Sequence, residues 1–181
     1  MRQKNIHGGG AKTNKNGLAF ERKTDLLTAL KEIDYLKVSD LDVFFDGKKV
    51  AFVSEQHKFY KLFLNTLGVD WKQRVSKKLL PDAFLLNYVT SEVFIIEKKF
   101  QERTGSVDEK LQTCDFKLKQ YGKLLEGTEY KPYFIFLLND WYKRPEYADV
   151  KTYIRSVGCD YYFNELPLAA IKMDIQSLSL S

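Results

Sequence analysis

The sequence predicts an α/β protein whose mixed central sheet is flanked by helices. Several short apolar segments have strand patterns, and the best-defined helix leads into a continuous apolar strand, as in crossovers between parallel strands. The length of 181 residues suffices for one hydrophobic core. The predicted order of core elements is helix, strand, strand, strand, helix, strand.

The first predicted helix begins at Asn16, a good N-cap residue, and extends to about Leu36. Its apolar stripe has helical spacing. The stripe consists of Leu26, Leu27, Leu30 and Ile33. Glu21 lies off this stripe, so periodicity alone favours a solvated charge.

A turn at Asp46-Gly47 precedes the alternating segment Lys48 to Ser54, which predicts the first strand. Residues 57–67 then have the apolar spacing of a second helix, an addition to the core. Its aromatic side chains have the spacing of a buried helix face, which is typical of core packing.

The central part of the chain has the strongest strand pattern. Ala83 to Val89 predicts one strand, Thr90-Ser91-Glu92 a tight connection, and Val93 to Lys99 the second strand of a hairpin. The second strand is apolar on both faces until Glu97. Charged groups at the end of a buried strand are costly unless a metal or a substrate compensates them.

Ser106 and Glu109 form a capping box that predicts the start of a long helix. Gly127 ends this helix, and Tyr133 to Leu138 follows as a continuous apolar strand in a central, parallel position. The last predicted elements are a helix and a short strand. They span Pro145 to Val157 and Asp160 to Phe163.

Composition excludes several classes of protein. A hydrophobic content of 44% excludes a disordered chain, and no apolar run is long enough to cross a bilayer. No secretory signal pattern is recognised, and two cysteines form no disulfide framework. We therefore expect a cytoplasmic protein without a membrane segment.

Positive charge is concentrated in residues 1–16 and 56–80, within a chain of net charge +5. A polyanion is the expected partner, although runs of lysine often only solvate a surface. Residues 1–16 are predicted to be a flexible basic arm in which Lys12 and Lys15 contact DNA, the alternative being a disordered terminus. Residues 17–181 are predicted to be a single domain. The glycines near Lys12 lack the spacing of a phosphate-binding loop.

The motif with clear chemistry is Pro81-Asp82, followed by Glu97-Lys98-Lys99. Side chains alternate along a strand, so Glu97 and Lys99 project together while Lys98 points to the other face. Two carboxylates and a lysine are the groups that a metal-dependent phosphodiesterase needs. The alternative is a structural cluster of salt bridges, since these also combine such residues.

These residues and the order of elements resemble the PD-(D/E)XK nuclease superfamily. Pro81-Asp82 with Glu97-Lys98-Lys99 matches its motif, and two stretches are similar to type II restriction endonucleases. These stretches are Glu97 to Gln101 and Gly105 to Thr113. Gly17 to Glu21 also looks like the opening helix of such enzymes, so the resemblance covers most of residues 16–140.

The resemblance implies a catalytic centre. Asp82 and Glu97 would bind Mg²⁺, for which Mn²⁺ could substitute, with the backbone carbonyl of Lys98 as a further ligand. Lys99 would position or help to deprotonate the attacking water. Glu21 would add a carboxylate through a bridging water, unless it is the solvated charge that its periodicity favours.

The resemblance also implies residues that contact the substrate. Gln101 would hold DNA or an outer-shell water, the alternative being an ordinary loop residue. Lys110 and Lys117 would contact backbone phosphates, the alternative being lysines that only solvate the helix surface.

We expect a restriction-endonuclease-like core (αβββαβ) and a type II restriction endonuclease. It would cut double-stranded DNA as a homodimer and leave 5′-phosphate and 3′-hydroxyl ends. The alternatives are a structure-selective nuclease of the junction-resolvase or repair type, and a noncatalytic nucleic-acid-binding protein of the same fold. No local motif encodes a recognition sequence. Residues 56–80 and 141–165 are the candidates for specificity or dimerisation.

Overall fold

The computed structural model describes residues 26–102 and 107–179. The predictions for the basic arm 1–16, with Lys12 and Lys15, lie outside the described residues. So do those for Glu21 and for Ser106 of the capping box.

One seven-stranded sheet organises the described part of the chain, and its strands lie in the order in which they occur in the sequence. The strands are β1 (Leu36–Ser39), β2 (Asp42–Phe45), β3 (Lys48–Ser54), β4 (Ala83–Asn87), β5 (Glu92–Lys99), β6 (Lys131–Leu138) and β7 (Asp160–Phe163). Strands β1 to β5 pair in antiparallel fashion, whereas β6 is parallel to β5 and β7 to β6. The prediction of a mixed α/β sheet is therefore confirmed.

Helical segments connect the later strands and flank the sheet. The α-helices are α1 (Leu26–Lys31), α2 (Val107–Lys110), α3 (Cys114–Leu125), α4 (Ala148–Ser156) and α5 (Ile175–Leu178). Short 3₁₀ segments cover Trp71–Gln73, Leu111–Thr113, Asp140–Lys143, Pro145–Tyr147 and Leu168–Ile171. Helix α3 leads from β5 to the parallel strand β6, as the sequence predicts.

The predicted first helix extends too far. Helix α1 ends at Lys31, and Leu36–Ser39 forms strand β1 of a hairpin with β2. Leu36 and Val43 are buried in this hairpin, where the alternation of residues 36–45 outweighs the helical spacing of the preceding leucines. The turn at Asp46-Gly47 is as predicted, with φ values of 48° and 75° that match a type I′ hairpin.

The other predicted helices differ from the sequence pattern in detail. Within residues 57–67 the structure has a π-helix, Phe59–Leu64, in which the Asn65 amide donates to the carbonyl of Tyr60. A 3₁₀ segment interrupts the helix predicted after the capping box, and another replaces the first turn of the helix predicted from Pro145. Apolar periodicity does not distinguish between these helix types.

The two faces of the sheet pack against different elements, and strand β5 contributes to both. Val93 and Ile95 belong to the core under the π-helix and α3, whereas Phe94 and Ile96 belong to the core under α1 and the C-terminal segment. Alternation along β5 therefore places Glu97 on the α3 face. Lys99 follows on that face, and Lys98 is on the other.

The C-terminal segment is fixed to the sheet by two buried polar groups at the β4–β5 turn. The Asn87 amide donates to the carbonyls of Ile171 (3.4 Å) and Lys172 (3.1 Å). The Glu92 carboxylate accepts from the ammonium of Lys172 at 2.5 Å and from the hydroxyl of Thr90 at 2.7 Å. Burial alone would raise the pKa of Glu92, but these contacts outweigh it and lower that pKa.

We predict that Glu92→Gln lowers the free energy of unfolding by about 1–3 kcal/mol at pH 7, because the charge-assisted bond to Lys172 is lost. The lowered pKa in the folded state means that the stabilisation is present above the usual pKa of glutamate. It is lost as the pH falls through the lowered value. Urea unfolding between pH 7 and pH 3 measures this, with the exposed Glu126→Gln as control. A deficit of equal size at every pH would contradict the prediction.

Candidate active site

Asp82 and Glu97 lie opposite each other where β4 begins and β5 approaches its end. The antiparallel register pairs Ala83 with Ile96, so the next positions outward are those of Asp82 and Glu97. The Glu97 side chain is only 8% exposed, whereas that of Asp82 is 38% exposed. The pair therefore lies at the edge of the buried part of the sheet, with Glu97 inside and Asp82 accessible to solvent.

Lys99 lies between these two carboxylates. Its ammonium nitrogen is 2.9 Å from Oε2 of Glu97 and 3.9 Å from Oδ2 of Asp82. It also donates to the backbone carbonyl of Lys98 at 3.1 Å. The two predicted carboxylates and the predicted lysine thus come together. Both carboxylates and the Lys98 carbonyl lie around the ammonium of Lys99.

The backbone of Lys98 orients Asp82. The Lys98 amide donates to Oδ2 of Asp82 at 2.7 Å. Burial raises the pKa of Asp82, and the charge of Glu97 raises it further. Lys99 and the Lys98 amide oppose this without cancelling it. The surroundings of Asp82 therefore disfavour its charged form, and a bound cation would stabilise that form.

Lys117 on helix α3 supplies a second cation to Glu97. Its ammonium is 3.1 Å from the same Oε2 atom that Lys99 contacts. The sequence prediction gave Lys117 a phosphate contact and missed this ion pair. The signal was its position on the edge of a helix stripe that includes the buried residues Cys114 and Tyr121, but the contact depends on how α3 packs on β5.

An aromatic floor lies beneath the two lysines. The Lys99 ammonium is 6.0 Å from the ring centroid of Phe136, and that of Lys117 is 5.8 Å from the ring centroid of Phe134. Both rings belong to β6 and are buried. Ring faces attract cations, and a poorly hydrated environment strengthens the ion pairs above them.

Two buried tyrosines fix the segment that leads to Asp82. The hydroxyl of Tyr60 both accepts from the amide of Leu79 and donates to its carbonyl, each at 2.9 Å. The hydroxyl of Tyr121 donates to the same carbonyl at 3.4 Å. Burial raises the pKa of Tyr121, and the nearby Glu97, Tyr60 and Asp82 add to this effect. The sequence predicted both tyrosines only as core residues.

Arg74 and Asn139 fix the surroundings of the site through backbone groups. The Arg74 guanidinium donates to the carbonyls of Lys123, Leu124 and Glu126, and so caps the end of α3. The Asn139 side chain donates to the carbonyl of Gln101 at 2.7 Å and accepts from its amide at 3.4 Å. Arg74, which belongs to the basic segment 56–80, thus has a structural role at the end of α3.

The remaining predicted site residues do not belong to the cluster around Lys99 or lie outside the described residues. Gln101 is buried just after β5. Lys110 is exposed at the end of α2, and the structure gives its ammonium no part in the cluster around Glu97. Glu21, Lys12 and Lys15 lie outside the described residues, so the helix carboxylate stays a prediction.

The donor atoms fit a hard divalent cation such as Mg²⁺, which prefers carboxylate and carbonyl oxygens. The contacts of the Lys99 ammonium put both carboxylates and the Lys98 carbonyl within reach of one cation. Among residues 26–102 and 107–179, no group of three or more histidine, cysteine, aspartate or glutamate side chains is arranged to hold a metal. From the described residues, the two carboxylates and the carbonyl could bind such a cation, with water completing its coordination.

Comparison with protein-family models, with curated proteins and with solved structures gives no match to this chain. In the part of the chain that the structure describes, no helix has the length and apolar character needed to span a membrane.

We predict that the two lysines compensate Glu97 jointly. Lys99→Met or Lys117→Met leaves one ammonium on the carboxylate, whereas the double variant leaves a buried charge without a cation. The double variant should lose about 1–3 kcal/mol more unfolding free energy than the two single variants together. Chemical denaturation at pH 7 in the presence of a chelator measures these values.

The control for this cycle is Glu97→Gln, which removes the charge that needs compensation. Added to the double variant, it should recover most of the extra loss. Additive single losses, or no recovery with Glu97→Gln, would show that the lysines do not share this carboxylate.

Proposed function

We propose that the protein is a Mg²⁺-dependent endodeoxyribonuclease of the PD-(D/E)XK type. One observation carries the proposal: the Lys99 ammonium lies between the carboxylates of Asp82 and Glu97, at 3.9 Å and 2.9 Å. A structural cluster of salt bridges would account for the two lysines on Glu97, but it does not need Asp82 and the Lys98 carbonyl beside the same ammonium. Metal-dependent hydrolysis of a phosphodiester requires such groups close together: two carboxylates, a lysine and a carbonyl.

The arrangement of elements supports the same proposal. Helix α1, the antiparallel strands β3 to β5, helix α3 and the parallel strand β6 follow the αβββαβ order of a restriction-endonuclease-like core. The β1–β2 hairpin and the helical segments between β3 and β4 are additions to that order. Asp82 directly precedes β4, and Glu97 lies near the end of the neighbouring strand β5.

Asp82, Glu97 and the Lys98 carbonyl would hold Mg²⁺, with Mn²⁺ as a substitute. The metal would stabilise the negative charge that develops on the scissile phosphate. The Lys98 amide keeps the Asp82 carboxylate turned toward Glu97. Lys99 would orient the attacking water and offset charge on the phosphate, because its ammonium already lies beside both carboxylates.

Lys117 would bind a non-bridging oxygen of the same phosphate. Its side chain is 21% exposed, and its ammonium lies 3.1 Å from Oε2 of Glu97, where α3 borders the site. A cation bound by Glu97 would compete with Lys117 for this carboxylate. Lys117 would then be available to the substrate without a large movement.

The substrate we propose is double-stranded DNA, cut to 5′-phosphate and 3′-hydroxyl ends, as by a type II restriction endonuclease. Cutting both strands requires two such centres, which favours a homodimer. The unpaired cysteines Cys114 and Cys159 favour a reducing compartment such as the cytoplasm.

We predict Mg²⁺-dependent cleavage of a long phage DNA that Lys99→Ala lowers by about 100-fold or more, because transition-state charge then lacks its ammonium. Lys117→Ala should lower cleavage by about tenfold through loss of a charge-assisted phosphate contact. The matched control is Lys119→Ala, which removes an exposed lysine of the same helix that pairs with Asp115. Initial rates on agarose gels, with and without chelator, measure all three variants.

The products separate the alternatives. Discrete bands support a sequence-specific endonuclease, whereas preference for branched or nicked DNA supports a structure-selective nuclease. DNA binding without cleavage in Mg²⁺ or Mn²⁺, by a protein whose Lys99→Ala variant binds equally well, would contradict the nuclease proposal and favour a noncatalytic binding protein.

A further inference from the structure

A cleft opens beside Asp82, at the end of β3 and the start of β4. Its volume is about 540 Å³, which lies in the range of small-molecule sites. Leu26 of α1 and Val53 of β3 supply apolar walls, while Lys58 and Lys98 supply cations. The cleft therefore borders Asp82, a proposed metal ligand, whereas Lys99 does not line it.

The cations of the cleft are available to an anion. In the described part of the chain, neither Lys58 nor Lys98 forms an ion pair. Lys58 is exposed, and the side chain of Lys98 projects to the sheet face opposite Glu97. Glu55 also borders the cleft, but it is exposed at the rim.

A smaller cavity adjoins the cleft. Its volume is about 240 Å³, and it shares Leu26, Ala83 and Lys98 with the larger cleft. Asn164 and Glu165 also line it, so it is a mixed polar and apolar space next to Lys98.

We infer that this cleft receives the phosphate next to the scissile phosphate, and this inference rests on the proposed nuclease function. The adjacent phosphate lies between Lys58 and Lys98, while the bases of the duplex stay paired outside the cleft. The cleft thus fixes the direction in which the cleaved strand runs away from the metal site.

The test measures binding of a DNA duplex that the wild-type protein cleaves, in the Lys99→Ala background, by fluorescence anisotropy at several salt concentrations. Lys58→Ala should weaken binding by about tenfold. It should also reduce the slope of log affinity against log salt by about 0.9, as expected for one lost phosphate contact. Lys61→Ala is the matched control, because Lys61 is exposed in the π-helix that directly follows Lys58 but does not line the cleft.

A second variant tests the space instead of the charge. Thr28→Trp, at an exposed position of α1 that lines the cleft, should lower kcat/KM by about tenfold, whereas Thr28→Ala, which removes the same hydroxyl without filling the cleft, should not. If Lys58→Ala and Lys61→Ala change the salt slope equally and the wild type cleaves DNA, the inference about the cleft is wrong. The nuclease proposal then stands. Wild-type protein that binds DNA without cleaving it would overturn the nuclease proposal and this inference together.

Discussion

The arrangement of the whole site depends on the burial of one carboxylate. Glu97 lies at the end of a strand whose preceding side chains are buried on both faces, so its charge is held where water screens it poorly. Two ammonium groups compensate it, one from its own strand and one from helix α3. The position of α3, the register of β4 on β5 and the aromatic floor on β6 are all consistent with this requirement.

Hydrogen bonds to the backbone hold the surroundings of the site. Tyr60 and Tyr121 bind Leu79, and the Lys98 amide binds the carboxylate of Asp82. Asn139 fixes the chain that leaves β5. Groups held in this way lose little conformational freedom when a cation or a phosphate binds, which is how preorganised sites favour a charged transition state.

Much of this could be predicted from the sequence where the pattern is local. Alternation along β5 correctly placed Glu97 and Lys99 on one face and Lys98 on the other, and the turn at Asp46-Gly47 was also predicted. The hairpin of β1 and β2 was missed, because the leucines before it have helical spacing. The contact of Lys117 with Glu97 and the clamp on Leu79 were missed because they join residues far apart in the chain. Such contacts depend on packing that periodicity does not encode. The contribution of Glu21 stays a prediction.

We propose that Asp82, Glu97 and the Lys98 carbonyl bind one divalent cation. Anomalous diffraction from crystals soaked in Mn²⁺ would locate this cation, because Mn²⁺ scatters anomalously and takes the same oxygen ligands as Mg²⁺. We expect one strong peak at about 2.0–2.3 Å from an oxygen of each carboxylate, with the Lys99 ammonium displaced from between them. No peak at this position, with Lys99 still between the two carboxylates, would contradict it.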